Sequence, residues 1–266
     1  MQRWTVAAVA LLMVPALAAK QKHAFELEGI LRGLEQNLQR YDREIPSFFC
    51  DEHSVSEMTP GTRWDRKEAD SIFRLEWEPS ADGSMSLAES REVKMVDGRP
   101  SSSAGWDAPA TIEGAFEGGL AVVSMSQQAC MEYQLEHEEY GQFVVSFRTR
   151  DENLKNDACL LHEKARGRAV IDPASLQVTH LELTMPQHRV PNSGRSQWYS
   201  PTVKGEWVIT VDYAPVILDG RSFWMPSSVR SRVTGEPNTF HSETWTFQAS
   251  YRNFHKLEVA SRIVPQ

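Results

Sequence analysis

Residues 167–183 read GRAVIDPASLQVTHLEL, and the Asp172-Pro173 pair at their centre decides how the chain is built. An acidic residue set in apolar chain invites a catalytic reading. The flanks argue for a corner. Ala169 and Ile171 approach the pair with a period of two, and Leu176 and Val178 leave it as the next strand begins. Proline holds its own φ near the value the first turn position needs, and an aspartate there accepts hydrogen bonds from the turn backbone. Asp172 is therefore expected at a hairpin corner between two antiparallel strands.

The same two-residue period runs through much of the chain. In SIFRLEWE, Phe73, Leu75 and Trp77 alternate with charged residues. CMEYQLEHE places Met131, Tyr133 and Leu135 on one face, and QFVVSFR places Phe143, Val145 and Phe147. EWVITVDYA gives Trp207, Ile209, Val211 and Tyr213; ETWTFQASYR gives Trp245, Phe247, Ala249 and Tyr251. KLEVASRIV offers Leu257, Val259 and Ile263 as a closing strand. Alternation of this kind marks antiparallel strands with one wet and one dry face. Asp97-Gly98 and Asp219-Gly220 are hairpin-turn signals. About ten strands are expected on this pattern.

Two segments depart from that period. In HAFELEGILRGLEQNLQRYDREIP, Phe25, Leu27, Ile30, Leu31, Leu34, Leu38 and Tyr41 recur at helical spacing until Pro46. TIEGAFEGGLAVVS also has helical spacing, at Ile112, Phe116, Leu120 and Val123, and is expected to form a short internal helix. Gly114, Gly118 and Gly119 weaken it by about 1 kcal/mol each relative to alanine, so it needs the sheet beneath it. The stretch before it, GRPSSSAGWDAPA, has loop composition.

The first residues, MQRWTVAAVALLMVPALAA, combine Arg3, an apolar run and a small-x-small site at Ala16–Ala18. Residues 1–19 are read as a signal peptide, too short for a spanning helix, leaving residues 20–266 as a single β domain. No cysteine follows the cleavage site, so no lipobox anchor is expected. The destination is periplasmic or secreted, with no integral membrane segment after cleavage. The net charge of −8 becomes −9 without Arg3, and the basic residues are scattered. That excludes a phosphate-binding surface of the kind nucleic acid requires.

Export brings the chain to an oxidising compartment, where one of three pairings of Cys50, Cys130 and Cys159 is expected. If Met131–Leu135 and Phe143–Phe147 form a hairpin, and the next strand starts near Cys159, then Cys130 and Cys159 share one end of the sheet. That pair is favoured. It closes a loop of nearly thirty residues and contributes about 3–4 kcal/mol. Pairing of Cys50 with either partner is the alternative.

Catalytic constellations are absent as motifs. The chain has no HExxH, Gly-x-Ser-x-Gly, P-loop or Gly-x-Gly-x-x-Gly. Its eight histidines show no metal-ligand spacing. Cys50 and His53 in CDEH stand three apart, which in a strand sends them to opposite faces. HEEY at 137–140 and HEK at 162–164 read as solvated segments. No catalytic residue, metal or cofactor is expected. The positive signal is aromatic. Trp77, Tyr133, Phe147, Trp207, Tyr213, Trp245 and Phe247 fall on dry faces, where they either fill the core or line a ligand cavity.

Several segments in order carry a family likeness: YDREIPSFFCDE, the VDGRP turn, TIEGAFEGGL, GRAVIDPASLQVTHLEL, VDYAPVILDGRSFWMPSSV and YRNFHKLEVASRI. This order resembles a group of uncharacterised secreted bacterial proteins and, more distantly, the outer-membrane lipoprotein carrier and receptor superfamily (LolA/LolB-like). The resemblance implies a mainly β (α+β) fold: a single, strongly curved antiparallel half-barrel of about ten to eleven strands. An N-terminal helix and a short internal helix would pack on its concave side. It also implies a cavity for acyl chains, and no catalytic residues. Without a lipobox the chain resembles the soluble carrier more than the anchored receptor. The expected role is a non-enzymatic, monomeric binder of a hydrophobic ligand (lipid, acyl chain or lipoprotein) or of an envelope protein. An envelope hydrolase without a recognisable motif and a structural or sensory module are the alternatives.

Overall fold

A computed structural model describes residues 14–60, 65–80, 83–101, 112, 114–116, 119–139, 141–190, 203–235 and 243–258. Through the alternating segments up to Lys256 the backbone is extended. The strands are β1 (Phe48–Pro60), β2 (Asp65–Pro79), β3 (Met85–Val96), β4 (Arg99–Pro100), β5 (Met131–Glu139) and β6 (Gln142–Thr149). They continue with β7 (Arg166–Asp172), β8 (Gln177–Val190), β9 (Val203–Leu218), β10 (Arg221–Gly235) and β11 (Glu243–Lys256). All eleven join one open antiparallel sheet in the order β4-β3-β2-β1-β11-β10-β9-β8-β7-β6-β5. Every neighbouring pair is adjacent in sequence except β1 with β11. The link from β4 to β5, residues 101–130, therefore has to pass from one edge of the sheet to the other.

That link departs from the expected internal helix. Gly114 has φ 78°, a left-handed conformation that interrupts right-handed helix, and the chain continues as two 3-10 turns, Gly119–Val122 and Met125–Gln127. Its apolar residues are nonetheless buried: Ile112, Ala115, Phe116, Val122 and Val123 join the core. Phe116 stacks on Phe73 of β2 and meets the Tyr251 ring of β11 edge-on. The crossover thus supplies the cover that a helix was expected to give. It is held by charge as well. The Glu89 carboxylate accepts hydrogen bonds from Gly114 N (3.1 Å) and Phe116 N (3.1 Å), and Arg91 Nη2 donates to the Ile112 carbonyl (3.1 Å). Arg91 in turn contacts both oxygens of Glu52 at 3.0 Å, whose side chain is 1% exposed. Burial and the neighbouring Glu52 push the Tyr251 phenol well above its ordinary pKa.

The helix α1 spans Val14–Glu44, and Ile30, Leu31, Leu34 and Tyr41 of its predicted stripe are buried. It docks on the Asp172 turn. Leu176, at φ 49°, packs where Gly33 leaves no room for a side chain, and Asn37 Nδ2 donates to the Ser175 and Leu176 carbonyls (3.0 and 2.7 Å). Asp172 Oδ2 accepts from Ser175 N (2.8 Å) and Ser175 Oγ (2.5 Å), which makes it the corner the sequence pointed to. Glu35 accepts from Ser126 N, tying α1 to the crossover.

Cys130 and Cys159 form the disulfide, with a sequence separation of 29, and Cys50 is a buried free thiol. The expected closing strand KLEVASRIV is described only at its start. Strand β11 stops at Lys256, Leu257 N bonds the Ser47 carbonyl, and residues 259–264 of KLEVASRIV lie outside the described residues. The apolar segment assigned to a signal peptide lies largely outside them too. Among the described residues, no helix is long and apolar enough to cross a membrane.

Candidate functional site

The register assigns each inner-face residue to its neighbours. Leu183 of β8 lies opposite Ile209 of β9, which lies opposite Ser231 of β10; in the next inward row stand Met185, Trp207 and Val233. The crossover covers only part of this surface. Beneath it a void of about 160 Å³ is lined by Ile112, Ala115, Val122, Leu181, Val211 and Val229, together with Leu183, Trp207 and Ile209. Its lining is almost wholly apolar, and its volume is that of a benzene-sized group. Outside it, a groove of about 660 Å³ is bounded by Leu160 and Leu161 of the loop after Cys159 and again by Leu183, Trp207 and Ile209. Those three residues border both spaces, so void and groove are neighbours along one apolar wall. Groove volumes of several hundred Å³ are the usual size for small-molecule sites.

Trp207 is set by two contacts. Its Nε1 donates to Ser231 Oγ at 2.7 Å, and the His188 ring lies 4.4 Å from it, centroid to centroid. His188 Nδ1 stands 2.7 Å from Glu163 Oε1 across the mouth of the groove. The loop that carries Glu163 is fixed by the disulfide and by Gln127, whose Oε1 accepts from Leu160 N (3.1 Å).

The other aromatics singled out in the sequence are dispersed along the inner face. Trp77 donates from Nε1 to the Ile45 carbonyl (2.9 Å) and supports the junction of α1 with β1. Tyr133 donates to the Val122 carbonyl (2.7 Å), with its phenol pKa raised by burial, and its ring faces Phe147. Tyr213, Trp245 and Phe247 are buried, and burial raises the Tyr213 phenol as well. Of the seven, Trp207 alone borders the void and the groove. Leu183, Ile209, Leu160, His188 and Glu163 were not singled out as site residues. Their signal was the alternation of β8 and β9 and the HEK segment, neither of which shows what the covering chain leaves open.

One polar cluster has the composition of a hydrolase triad. His180, Asp212 and Ser228 are cross-strand neighbours on the outer face of β8, β9 and β10. Asp212 lies between the other two: it accepts from Ser228 Oγ (2.6 Å) and pairs with His180 Nδ1 (2.7 Å). A nucleophilic serine must give its proton to the histidine, with the carboxylate behind it. Here serine and histidine are both spent on the carboxylate. Partial burial works against the charge, but these two bonds and Arg230 keep the Asp212 pKa low. Cys50 and His53 point to opposite faces, Cys50 into the core with its thiol pKa raised by burial and His53 to Asp70. Among the described residues no group of three or more His, Cys, Asp and Glu side chains could hold a metal ion.

No protein-family model matches the chain, and no curated protein matches it. Solved structures similar to it include a DUF1329 family protein from Desulfovibrio piger, at 9% identity over 84% of this chain and 90% of that one, with a TM-score of 0.36. A domain from Vibrio parahaemolyticus described as an outer membrane lipoprotein-sorting protein is similar at 9% identity over 83% and 89%, with a TM-score of 0.34. MucB in complex with MucA(peri) is similar at 12% identity over 82% and 92%, with a TM-score of 0.21.

Proposed function

We propose that the protein is an exported, non-enzymatic binder that holds a hydrophobic ligand (a lipid, an acyl chain or the lipid of a lipoprotein) in the inner-face groove. Residues 1–19 act as its signal peptide, and residues 20–266 form one domain that works in the periplasm or outside the cell. The observation that carries this reading is the continuity of the apolar wall. Leu183, Trp207 and Ile209 border an open groove and, beside it, an apolar pocket under the crossover. A filled core would leave neither space, and a hydrolase would place convergent polar groups there. The polar residues at this wall stand at its mouth instead.

Trp207 supplies the test. A brominated fatty acid added to delipidated protein is expected to quench part of the tryptophan emission and to raise the melting temperature. At a free concentration of 100 Kd the stabilisation is about 2.7 kcal/mol. Trp207→Phe removes the quenched component and keeps the thermal shift. Absence of both quenching and stabilisation with fatty acids, phospholipids and lipopeptides would sink the proposal.

A further inference from the structure

Polarity is graded along the groove. The void side is walled by aliphatic residues, and the mouth by His162, Glu163, Gln187 and His188. A ligand that follows this gradient has one apolar end inside and one polar end at the mouth. The polar end meets defined atoms. Glu163 Oε1, as a carboxylate oxygen, accepts the bond at 2.7 Å, so His188 Nδ1 carries the hydrogen and donates it. In the tautomer with the hydrogen on Nδ1, Nε2 is an acceptor. Glu163 Oε2 is an acceptor as well, and neither atom has a hydrogen-bond partner among the described residues. The Trp207 ring against His188 fixes the plane of the imidazole, so this acceptor pair keeps its direction.

We infer that the groove selects single-chain amphiphiles whose head group donates hydrogen bonds, a hydroxyl or an amide, over those that end in a carboxylate. The inference rests on the groove being the ligand site. The two hydroxyls of a glycerol head can donate to Glu163 Oε2 and His188 Nε2, one to each. A carboxylate brings further acceptors and a negative charge up to Glu163.

The test compares 1-dodecanoylglycerol with dodecanoate, both below their micelle concentrations, by calorimetric titration of the full chain at pH 8. The glycerol ester is expected to bind about tenfold more tightly, the effect of one to two net hydrogen bonds. Glu163→Gln is close to isosteric at a position one-third exposed, and turns an outward acceptor into a donor. It should narrow that ratio several-fold, and His188→Phe, which retains the ring against Trp207, should narrow it as well. Equal affinities in the wild type, tighter binding of dodecanoate, or a ratio unchanged in both variants overturns the inference and leaves the groove as a site. Binding of neither compound to the wild type, by titration or thermal shift, removes the groove reading and this inference with it.

Discussion

At the scale of single residues, two positions in GRAVIDPASLQVTHLEL make opposite demands. Gly167 admits no side chain: an added Cβ would collide with the Glu182 carbonyl oxygen and the Phe147 ring. The backbone oxygen cannot move aside without breaking the ladder, so Gly167→Ala is expected to destabilise the fold by about 2–3 kcal/mol in urea denaturation. Asp172 acts through its charge. The hydroxyl and amide of Ser175 hold its carboxyl below the usual range. Its folded pKa is thus lower than its unfolded one, so the contribution is complete above the unfolded value of about 3.9 and is lost as pH falls through the folded value. Asp172→Ala should therefore be less stable than wild type at pH 7, with the gap narrowing below about pH 4; a gap that stays constant down to pH 2 contradicts this. The role of Asp172 was legible because turn chemistry is local. That of Gly167 was not, because the atoms that exclude a Cβ belong to β6 and β8.

Among the elements, the crossover was misread for the same reason. Its apolar spacing is helical, but Gly114 takes a left-handed φ and the backbone amides that a helix would pair internally go to Glu89 on β3. A contact between residues 89 and 114 leaves no mark in either local sequence. The strands were legible since each carries its own period, and the disulfide followed from counting them. The clamp makes two expectations. Glu89→Ala strands the Gly114 and Phe116 amides and should accelerate hydrogen–deuterium exchange across residues 112–123 ahead of the rest of the protein. Arg91→Ala leaves Glu52 buried and unpaired, and should lower global stability by about 3–5 kcal/mol. Exchange in the Glu89→Ala protein that rises uniformly along the chain would show that the crossover is not separately latched. The site was only partly legible on the same grounds: Trp207 is one of seven inner aromatics until the crossover and the loop after Cys159 decide which of them stays uncovered.

For the whole molecule, the covalent and topological frames can be tested apart. Removing the disulfide by Cys130→Ser with Cys159→Ser should lower stability by about 3–4 kcal/mol in denaturant and loosen the loop bearing Leu160 and Glu163. The ligand affinity should fall in step, since that loop is one wall of the groove. The hairpin order across the sheet followed from sequence, whereas the pairing of β1 with β11 did not, because antiparallel strands with like alternation are interchangeable partners. That pairing has a consequence for the order of events during folding. Nine of the ten ladders join strands consecutive in sequence, yet the two halves of the sheet share no ladder until residues 243–256 arrive. Among the described residues Phe116 also draws two of its four aromatic neighbours, Tyr251 and Phe254, from that strand. The aromatic nest around Phe116 therefore cannot be completed until β11 is in place. Strand β11 is thus the keystone that joins the two halves of the sheet.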